Sequence, residues 1–142
     1  MISGVNRAGV LLDSGPLVAL LHRTDVNHER AKALIASCQA PLRTCEAVLA
    51  EAAHLLSKVN VNAPVDVLAL GRRGVFEIAI RLDEQWLPIE NTLKKYRDVP
   101  ASLADACLIR CAELHQEPRI VTFDSDFWVY RWGRSRPFEL VD

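Results

Sequence analysis

Acidic side chains stand in apolar surroundings at several points of this sequence, where an unpaired charge is costly to bury. Asp13 directly follows the apolar residues 10–12 and precedes a Ser-Gly-Pro turn. An uninterrupted apolar run of this kind indicates a strand buried on both faces. The turn and the second apolar run after it indicate a helix. Asp13 is therefore predicted at the carboxyl end of an interior strand, where α/β sheets bind ligands. A simple helix cap is the alternative role.

Glu51 is a second acid of this kind. It lies three residues after Val48 and four before Leu55 in a predicted helix, so its side chain is expected on their apolar face. Glu46 stands in the first turn of the same helix, where its charge complements the helix dipole. Glu51 has no such role, and the alternative is a surface glutamate at the edge of the apolar stripe.

Asp105 repeats the pattern in a later helix, three and four residues before Leu108 and Ile109. It is therefore expected on their apolar face. The rival explanation is local, because Ser102 and Asp105 match a loose capping box in which the acid only serves the start of the helix. Both roles are open at the level of sequence.

Asp124 and Asp126 close the series directly after a predicted buried strand. One of these two carboxylates is expected to cap a short helix that leads toward Tyr130. The other is then free for a site at the end of the strand.

Carboxylates from four separate segments converge only where something neutralises them, because buried acids lose hydration and repel one another. An all-oxygen ligand set without a nearby His or Cys points to a hard divalent ion, Mg²⁺ or Mn²⁺. Such an ion ionises a water molecule and stabilises charge on a phosphoryl oxygen. A phosphatase with an aspartyl nucleophile is a rival class, but Ser14 and Gly15 supply no second acid beside Asp13.

Hydrophobic periodicity predicts the elements that must position these acids. Strands are expected at about residues 9–13, 41–44, 75–80, 119–123 and 138–141, and helices at about residues 16–22, 25–38, 44–58, 65–72, 83–97 and 101–115. In the third strand, Phe76, Ile78 and Ile80 are predicted to share one face. Strands that alternate with helices imply a three-layer α/β/α fold with a central, mainly parallel sheet. The whole chain, residues 1–142, is expected to form one domain after a loose polar lead-in over residues 1–9.

Composition narrows the class of protein. Half of the 142 residues are hydrophobic and the formal net charge is −1, so no global field attracts nucleic acid or an anionic membrane. The four cysteines form no Cys-x-x-Cys pair, which argues against structural zinc. Without a signal segment or a membrane-spanning stretch, the expected compartment is a reducing cytoplasm, with no membrane partner.

The ordered acidic motifs resemble those of PIN domains. They are Leu-Leu-Asp-Ser-Gly-Pro-Leu around Asp13, Thr-Cys-Glu-Ala-Val-Leu-Ala-Glu ending at Glu51, Leu-Ala-Asp-Ala-Cys around Asp105, and Thr-Phe-Asp-Ser-Asp-Phe with Asp124 and Asp126. The resemblance covers nearly the whole chain and is closest to the VapC-type toxins of bacterial toxin–antitoxin pairs. It implies a PIN-like fold and a Mg²⁺-dependent endoribonuclease.

The same resemblance implies roles and partners. All five acids are carried over as catalytic and metal-binding residues, with either Asp124 or Asp126 as the main fourth acid, and Ser14 and Thr122 match polar positions that support the metal or the phosphate. RNA is the implied substrate, a cognate antitoxin the implied protein partner, and a homodimer the implied assembly. A housekeeping RNA-processing nuclease and a non-catalytic RNA- or protein-binding module of the same fold are the alternatives.

An arginine-rich aromatic segment at residues 127–138 admits several roles. It contains five of the nine aromatic residues, interleaved with Arg131, Arg134 and Arg136. Such a composition can stack on and hold single-stranded RNA. It can equally dock a partner or pack the end of the chain, and packing is the favoured interpretation because free tryptophans would expose apolar surface.

Overall fold

The computed structural model describes residues 7–142, so most of the lead-in predicted over residues 1–9 lies outside the described part. The strands are β1 (Leu11–Leu12), β2 (Leu42–Thr44), β3 (Phe76–Ile78), β4 (Arg119–Val121), β5 (Arg131–Trp132), β6 (Arg136–Pro137) and β7 (Glu139–Leu140). The helices are α1 (Ser14–Leu21), α2 (His28–Ala36), α3 (Glu46–Leu56), α4 (Ala63–Arg72), α5 (Trp86–Lys95) and α6 (Leu103–His115). Short 3-10 helices span Leu82–Glu84 and Ser125–Trp128.

Five strands form one sheet in the order β3-β2-β1-β4-β7, and all four pairings are parallel. Leu11 of β1 pairs with Arg43 on one side and with Ile120 on the other. The strand that precedes Asp13 is therefore central, as its uninterrupted apolar run predicts. Strands β5 and β6 form a separate antiparallel hairpin.

Two apolar cores cover the two faces of the sheet. Leu11 and Ile120 belong to one core, which is completed by α6, α5 and the segment from Phe127 to Phe138. Leu12 and Val121, the next residues along, belong to the other core with α1, α2 and α4. Because successive side chains of a strand point to opposite faces, this alternation confirms the three-layer α/β/α fold with a parallel sheet.

Two elements differ from the sequence-based expectation. The third strand ends at Ile78, at the edge of the sheet, so Phe76, Ile78 and Ile80 do not share one face as predicted. Phe76 packs in one core, Ile80 in the other, and Ile78 is 42% exposed. The helix predicted from residue 83 is interrupted at Gln85, and α5 begins after it. Pro88 explains the break, because it lacks the N–H that a continuous helix would bond to the carbonyl of residue 84.

The arginine-rich aromatic segment is mostly packed into the protein. Phe127, Tyr130, Trp132 and Phe138 are all buried, and the ring of Phe127 makes edge-to-face contacts with those of Tyr130 and Phe138, at centroid distances of 5.1 and 5.2 Å. Such contacts add to the free energy gained by burial. For these four aromatics, packing is the correct interpretation.

None of the helices in the described part of the chain has the length and apolar character needed to cross a membrane.

Because α6 packs into one of the two cores, replacing a buried residue of this helix is expected to lower the free energy of unfolding. Leu108 is fully buried in the core that α6 shares with the sheet and α5, whereas Leu114 on the same helix is 42% exposed. Replacing Leu108 by Ala leaves a cavity, so the free energy of unfolding should fall by about 2–5 kcal/mol in urea titrations. The matched control, Leu114→Ala, should cost less than about 1 kcal/mol. Equal losses in the two variants would contradict the placement of α6.

Candidate active site

Asp13 lies at the junction of β1 and α1 and has hydrogen bonds on both carboxylate oxygens. Its Oδ1 accepts a hydrogen bond from the backbone N–H of Ser14 at 2.7 Å, so Asp13 is the cap of α1. Its Oδ2 accepts a hydrogen bond from Thr122 Oγ1, also at 2.7 Å. The cap and the position at the end of a central strand were alternatives in the sequence, and both hold.

Thr122 joins the ends of two neighbouring strands. Its Oγ1 donates to Asp13 and accepts from the backbone N–H of Asp124 at 3.0 Å. The hydroxyl therefore fixes the loop after β4 against the loop after β1. Thr122 is buried, which protects this relay from competition by water.

Asp105 also has a structural and a site-facing role at once. Ser102 and Asp105 form a complete capping box at the start of α6. Asp105 Oδ2 accepts hydrogen bonds from the Ser102 N–H at 3.2 Å and from Tyr130 Oη at 2.9 Å. Both bonds use the same oxygen, so among the described residues Oδ1 has no hydrogen-bond donor and is available to a ligand.

Of the two acids after β4, Asp124 is both the helix cap and the member of the acidic cluster. Asp124 is the cap of the 3-10 helix, because its Oδ1 accepts from the Asp126 N–H at 2.9 Å. The sequence suggests that the capping acid is occupied and the other one free. Nevertheless Asp124 is the acid that approaches Asp13 and Asp105, since a cap uses only one of its two carboxylate oxygens.

Glu51 reaches the same place from the side of α3. It is half-buried, and its Oε2 accepts a hydrogen bond from Ser14 Oγ. The buried stripe of α3 consists of Val48, Ala52 and Leu56 rather than Leu55, so Glu51 stands at the border of that stripe. Among the acids of the predicted site, Glu51 and Asp126 lie outside the tightest group.

A tight acidic cluster is formed by Asp13, Asp105 and Asp124, each of which offers one carboxylate oxygen within 4.8 Å of the others. It stands in a cavity of about 440 Å³. All five predicted acids line this cavity, together with Ser14, Gly15, Pro100, Ser102 and Phe123. No positive charge from the described residues that line the cavity neutralises these carboxylates, and their burial raises the pKa values of Asp13 and Asp105.

Burial raises the pKa of Asp13 from its ordinary 3.8 to about 6, although the hydrogen bonds from Thr122 and Ser14 act in the opposite direction. Burial also raises the pKa of Asp105, and the neighbouring carboxylates of Asp124 and Glu51 add to the effect. The pKa of Tyr130 is raised by burial and by its hydrogen bond to Asp105, so the phenol remains a donor. A bound cation would reverse the balance for the acids.

Comparison with known proteins identifies the family of this fold. A family model described as the PIN domain matches residues 10–132. The chain belongs to the PIN domain family. Among solved structures, VapC20 of Mycobacterium tuberculosis, described as a toxin that cleaves the sarcin–ricin loop, aligns with a TM-score of 0.74 and 25% identity, over 90% of this chain and 99% of that one. No curated protein sequence matches the chain at a significant level.

Two residues of this PIN domain site were not singled out by the sequence. Tyr130 is fully buried and donates to Asp105 from 25 residues further along the chain. Pro100 lines the cavity. Neither has a local sequence signal, because an aromatic residue in an apolar segment is indistinguishable from ordinary core until its hydroxyl partner is known.

The raised pKa of Asp13 predicts a pH dependence of stability in EDTA. A carboxyl whose folded-state pKa lies above its unfolded value opposes folding once it ionises, so its contribution falls as pH rises from about 4 to about 6. Its pKa change, from 3.8 to about 6, corresponds to roughly 3 kcal/mol. The stability of Asp13→Asn should therefore improve relative to the wild type by up to that amount between pH 4 and pH 7.

The measurement is a series of urea titrations at fixed ionic strength. Leu114→Ala changes no charge and serves as the control, with a stability difference that is independent of pH. If the difference in unfolding free energy between Asp13→Asn and the wild type were also independent of pH, Asp13 would not be a buried carboxylate with a raised pKa.

Proposed function

We propose that this PIN domain is a metal-dependent endoribonuclease and acts as the toxin of a toxin–antitoxin pair. The observation that carries the proposal is the cluster of Asp13, Asp105 and Asp124 in an open cavity at the carboxyl edge of the sheet. The likeness to VapC20, a toxin that cleaves RNA at the sarcin–ricin loop, supports the substrate class.

The donor set fits Mg²⁺, with Mn²⁺ as the alternative. All candidate ligand atoms are carboxylate oxygens, which hard divalent ions prefer. Asp13, Asp105 and Asp124 would hold the metal directly, with Glu51 and Asp126 joining directly or through water. When bound, the metal would supply a hydroxide from water at neutral pH and a positive charge beside the phosphate.

The chain itself supplies preorganisation. Thr122 and the Ser14 N–H hold the two oxygens of Asp13, and Tyr130 and Ser102 hold one oxygen of Asp105. Each carboxylate is thus fixed before a ligand arrives, which lowers the entropy lost when it binds. The hydroxyl of Ser14 orients Glu51 in the same way.

The acidic cavity on its own does not favour an anionic substrate. Its carboxylates would repel a nearby RNA phosphate unless a bound cation neutralised them. The nuclease would act on a backbone phosphate without a covalent enzyme intermediate, because the described cavity presents acids and a serine engaged with Glu51, and no histidine that would activate a nucleophile lines it.

We further infer that the chain is a single domain, that it pairs with a cognate antitoxin, and that it forms a homodimer. The two apolar cores share one sheet, which supports a single folding unit. An enzyme of this kind would meet its RNA and its antitoxin in the cytoplasm. A housekeeping nuclease is distinguished by the neighbouring reading frame, since a toxin requires a small antitoxin encoded beside it.

The proposal predicts metal-dependent cleavage that a single isosteric change abolishes. An RNA stem-loop with the sarcin–ricin sequence, and total RNA, should be cut with Mg²⁺ or Mn²⁺ and remain intact in EDTA. Asp105→Asn should lose cleavage by at least about 100-fold because a ligand charge is gone. In EDTA its melting temperature should equal or exceed that of the wild type, since the amide oxygen can still accept from Ser102 and Tyr130 while the repulsion disappears.

A surface variant provides the control for the loss of charge. Glu90 is exposed on α5 and contributes only a weak ion pair to Lys94 at 3.9 Å, so Glu90→Gln should cut RNA at the wild-type rate. Cleavage that persists in chelator would exclude the metal mechanism, and an active Asp105→Asn would leave the residue as a helix cap only.

The arginines of the arginine-rich aromatic segment are predicted mainly to stabilise the folded protein rather than to bind RNA. Arg131 Nη1 donates to the carbonyl oxygens of Trp128 and Tyr130, both at 2.9 Å, and the Arg136 guanidinium lies 5.2 Å from the centre of the Trp132 ring. Replacing Arg131, Arg134 and Arg136 by Ala should therefore lower stability by about 1–2 kcal/mol. The salt dependence of RNA binding should keep its slope.

Fluorescence titrations at several salt concentrations check this, and Arg134→Ala, at an exposed position, serves as the single-site control. A slope reduced by roughly 0.7 per arginine would instead place these side chains on RNA phosphates. Normal cleavage combined with resistance to the antitoxin would place them in the partner interface.

A further inference from the structure

A second cavity, of about 330 Å³, adjoins the acidic cavity. Phe123 and Asp124 line both, so the two cavities share a wall. The other side chains that give the second cavity its character are those of Arg30, Trp128 and Asp142. Its volume lies at the lower end of those that hold small organic groups, and its lining combines aromatic rings with one arginine and two aspartates.

Trp128 is the exception in its segment. Its neighbours Phe127 and Tyr130 are fully buried, whereas Trp128 is 62% exposed at this cavity. A packing role accounts for the buried rings and leaves this one unexplained. A tryptophan that presents its ring to solvent beside a phosphodiester-cleaving site is suited to stack on a base.

The position of Trp128 is fixed relative to the acidic cluster. Asp124 caps the single 3-10 turn that carries it, and Phe127 anchors that turn in the core. Arg131 holds the carbonyl oxygen of Trp128 at 2.9 Å. The backbone that carries the ring is therefore preorganised, so binding costs less conformational entropy than it would on a mobile loop.

Arg30 adds a positive charge from a different element, α2. Its guanidinium lies 5.0 Å from the centre of the Phe123 ring, a cation–π contact that holds it at the shared wall. Asp124 and Asp142 also line the cavity, so the charge of Arg30 is the one that favours a phosphate there. The Asp142 carboxylate is suited to accept a hydrogen bond from the amino group of a base.

We propose that this second cavity binds an unpaired nucleobase next to the scissile phosphate, with the base stacked on Trp128 and an adjacent phosphate on Arg30. The inference rests on the proposed function. It also narrows the substrate class: a base paired within a helix cannot enter the cavity, so the preferred RNA has an unpaired or extruded nucleotide beside the cleavage site.

The test asks whether Trp128 and one particular base contribute jointly to the affinity for RNA. Cleavage by the wild type first maps the cut in the sarcin–ricin stem-loop or in total RNA. Dissociation constants are then measured in Mg²⁺, in an uncleaving Asp105→Asn background, for a short single-stranded RNA around the cut and for the same RNA with an abasic ribose on either side of it.

Adding Trp128→Ala should weaken binding of the intact RNA by roughly 5- to 100-fold. Trp128→Phe retains a stacking ring and should lose much less. Trp86→Ala is the matched control, because Trp86 is 65% exposed but lies on α5 away from the cavity, and its effect should stay within about twofold. On one of the two abasic RNAs, the loss caused by Trp128→Ala should disappear.

A loss of equal size on the intact and both abasic RNAs would overturn the base-stacking role, and so would unchanged binding by Trp128→Ala. If unchanged RNA binding were accompanied by escape from the antitoxin, the ring would belong to a protein interface instead. A wild-type protein that cuts no RNA in Mg²⁺ or Mn²⁺ would refute the proposed function itself. If the wild type cuts RNA and Trp128→Ala leaves RNA binding unchanged, only this inference is refuted.

Discussion

The confinement of three carboxylates in a small, largely buried space is the constraint on which the rest of this structure depends. Asp13, Asp105 and Asp124 come within 4.8 Å of one another, and the pKa of Asp13 rises to about 6 because burial removes its hydration. Such an arrangement opposes folding and persists only because the surrounding structure holds each acid in place. The two cores on either side of the sheet provide that rigidity.

Each acid of the cluster is held by a local backbone motif. Asp13 caps α1, Asp105 closes a capping box, and Asp124 caps a 3-10 turn. A cap satisfies backbone N–H groups that would otherwise lack partners, so the same hydrogen bonds that start a helix also aim a carboxylate. Structural and chemical explanations of these residues are therefore compatible.

The site has two chemically different halves that meet at Asp124 and Phe123. One half is acidic and suited to a cation, whereas the other is aromatic and carries Arg30. A nucleic-acid strand alternates anionic phosphates with flat bases, and the two halves match these two components. Thr122 and the 3-10 turn couple the halves, because both depend on the loop after β4.

The sequence by itself determined the fold class and the acids. Hydrophobic periodicity identified the six helices and the five strands of the parallel sheet to within a few residues, because burial on both faces imposes apolar runs on such a sheet. It missed the β5–β6 hairpin. The apolar surroundings of Asp13, Glu51 and Asp105 marked them as unusual for the same reason. Boundaries at β3 and α5 were less accurate, since an edge strand and a proline near a helix start depend on which neighbours are present.

Only the tertiary structure decided which groups act together. It placed Asp124 rather than Asp126 in the cluster, joined Tyr130 to Asp105, and separated the exposed Trp128 from its buried neighbours. It also brought Arg30 to the site from a distant helix. Each of these outcomes depends on side-chain direction across elements far apart in the chain, and periodicity within one element carries no information about that direction.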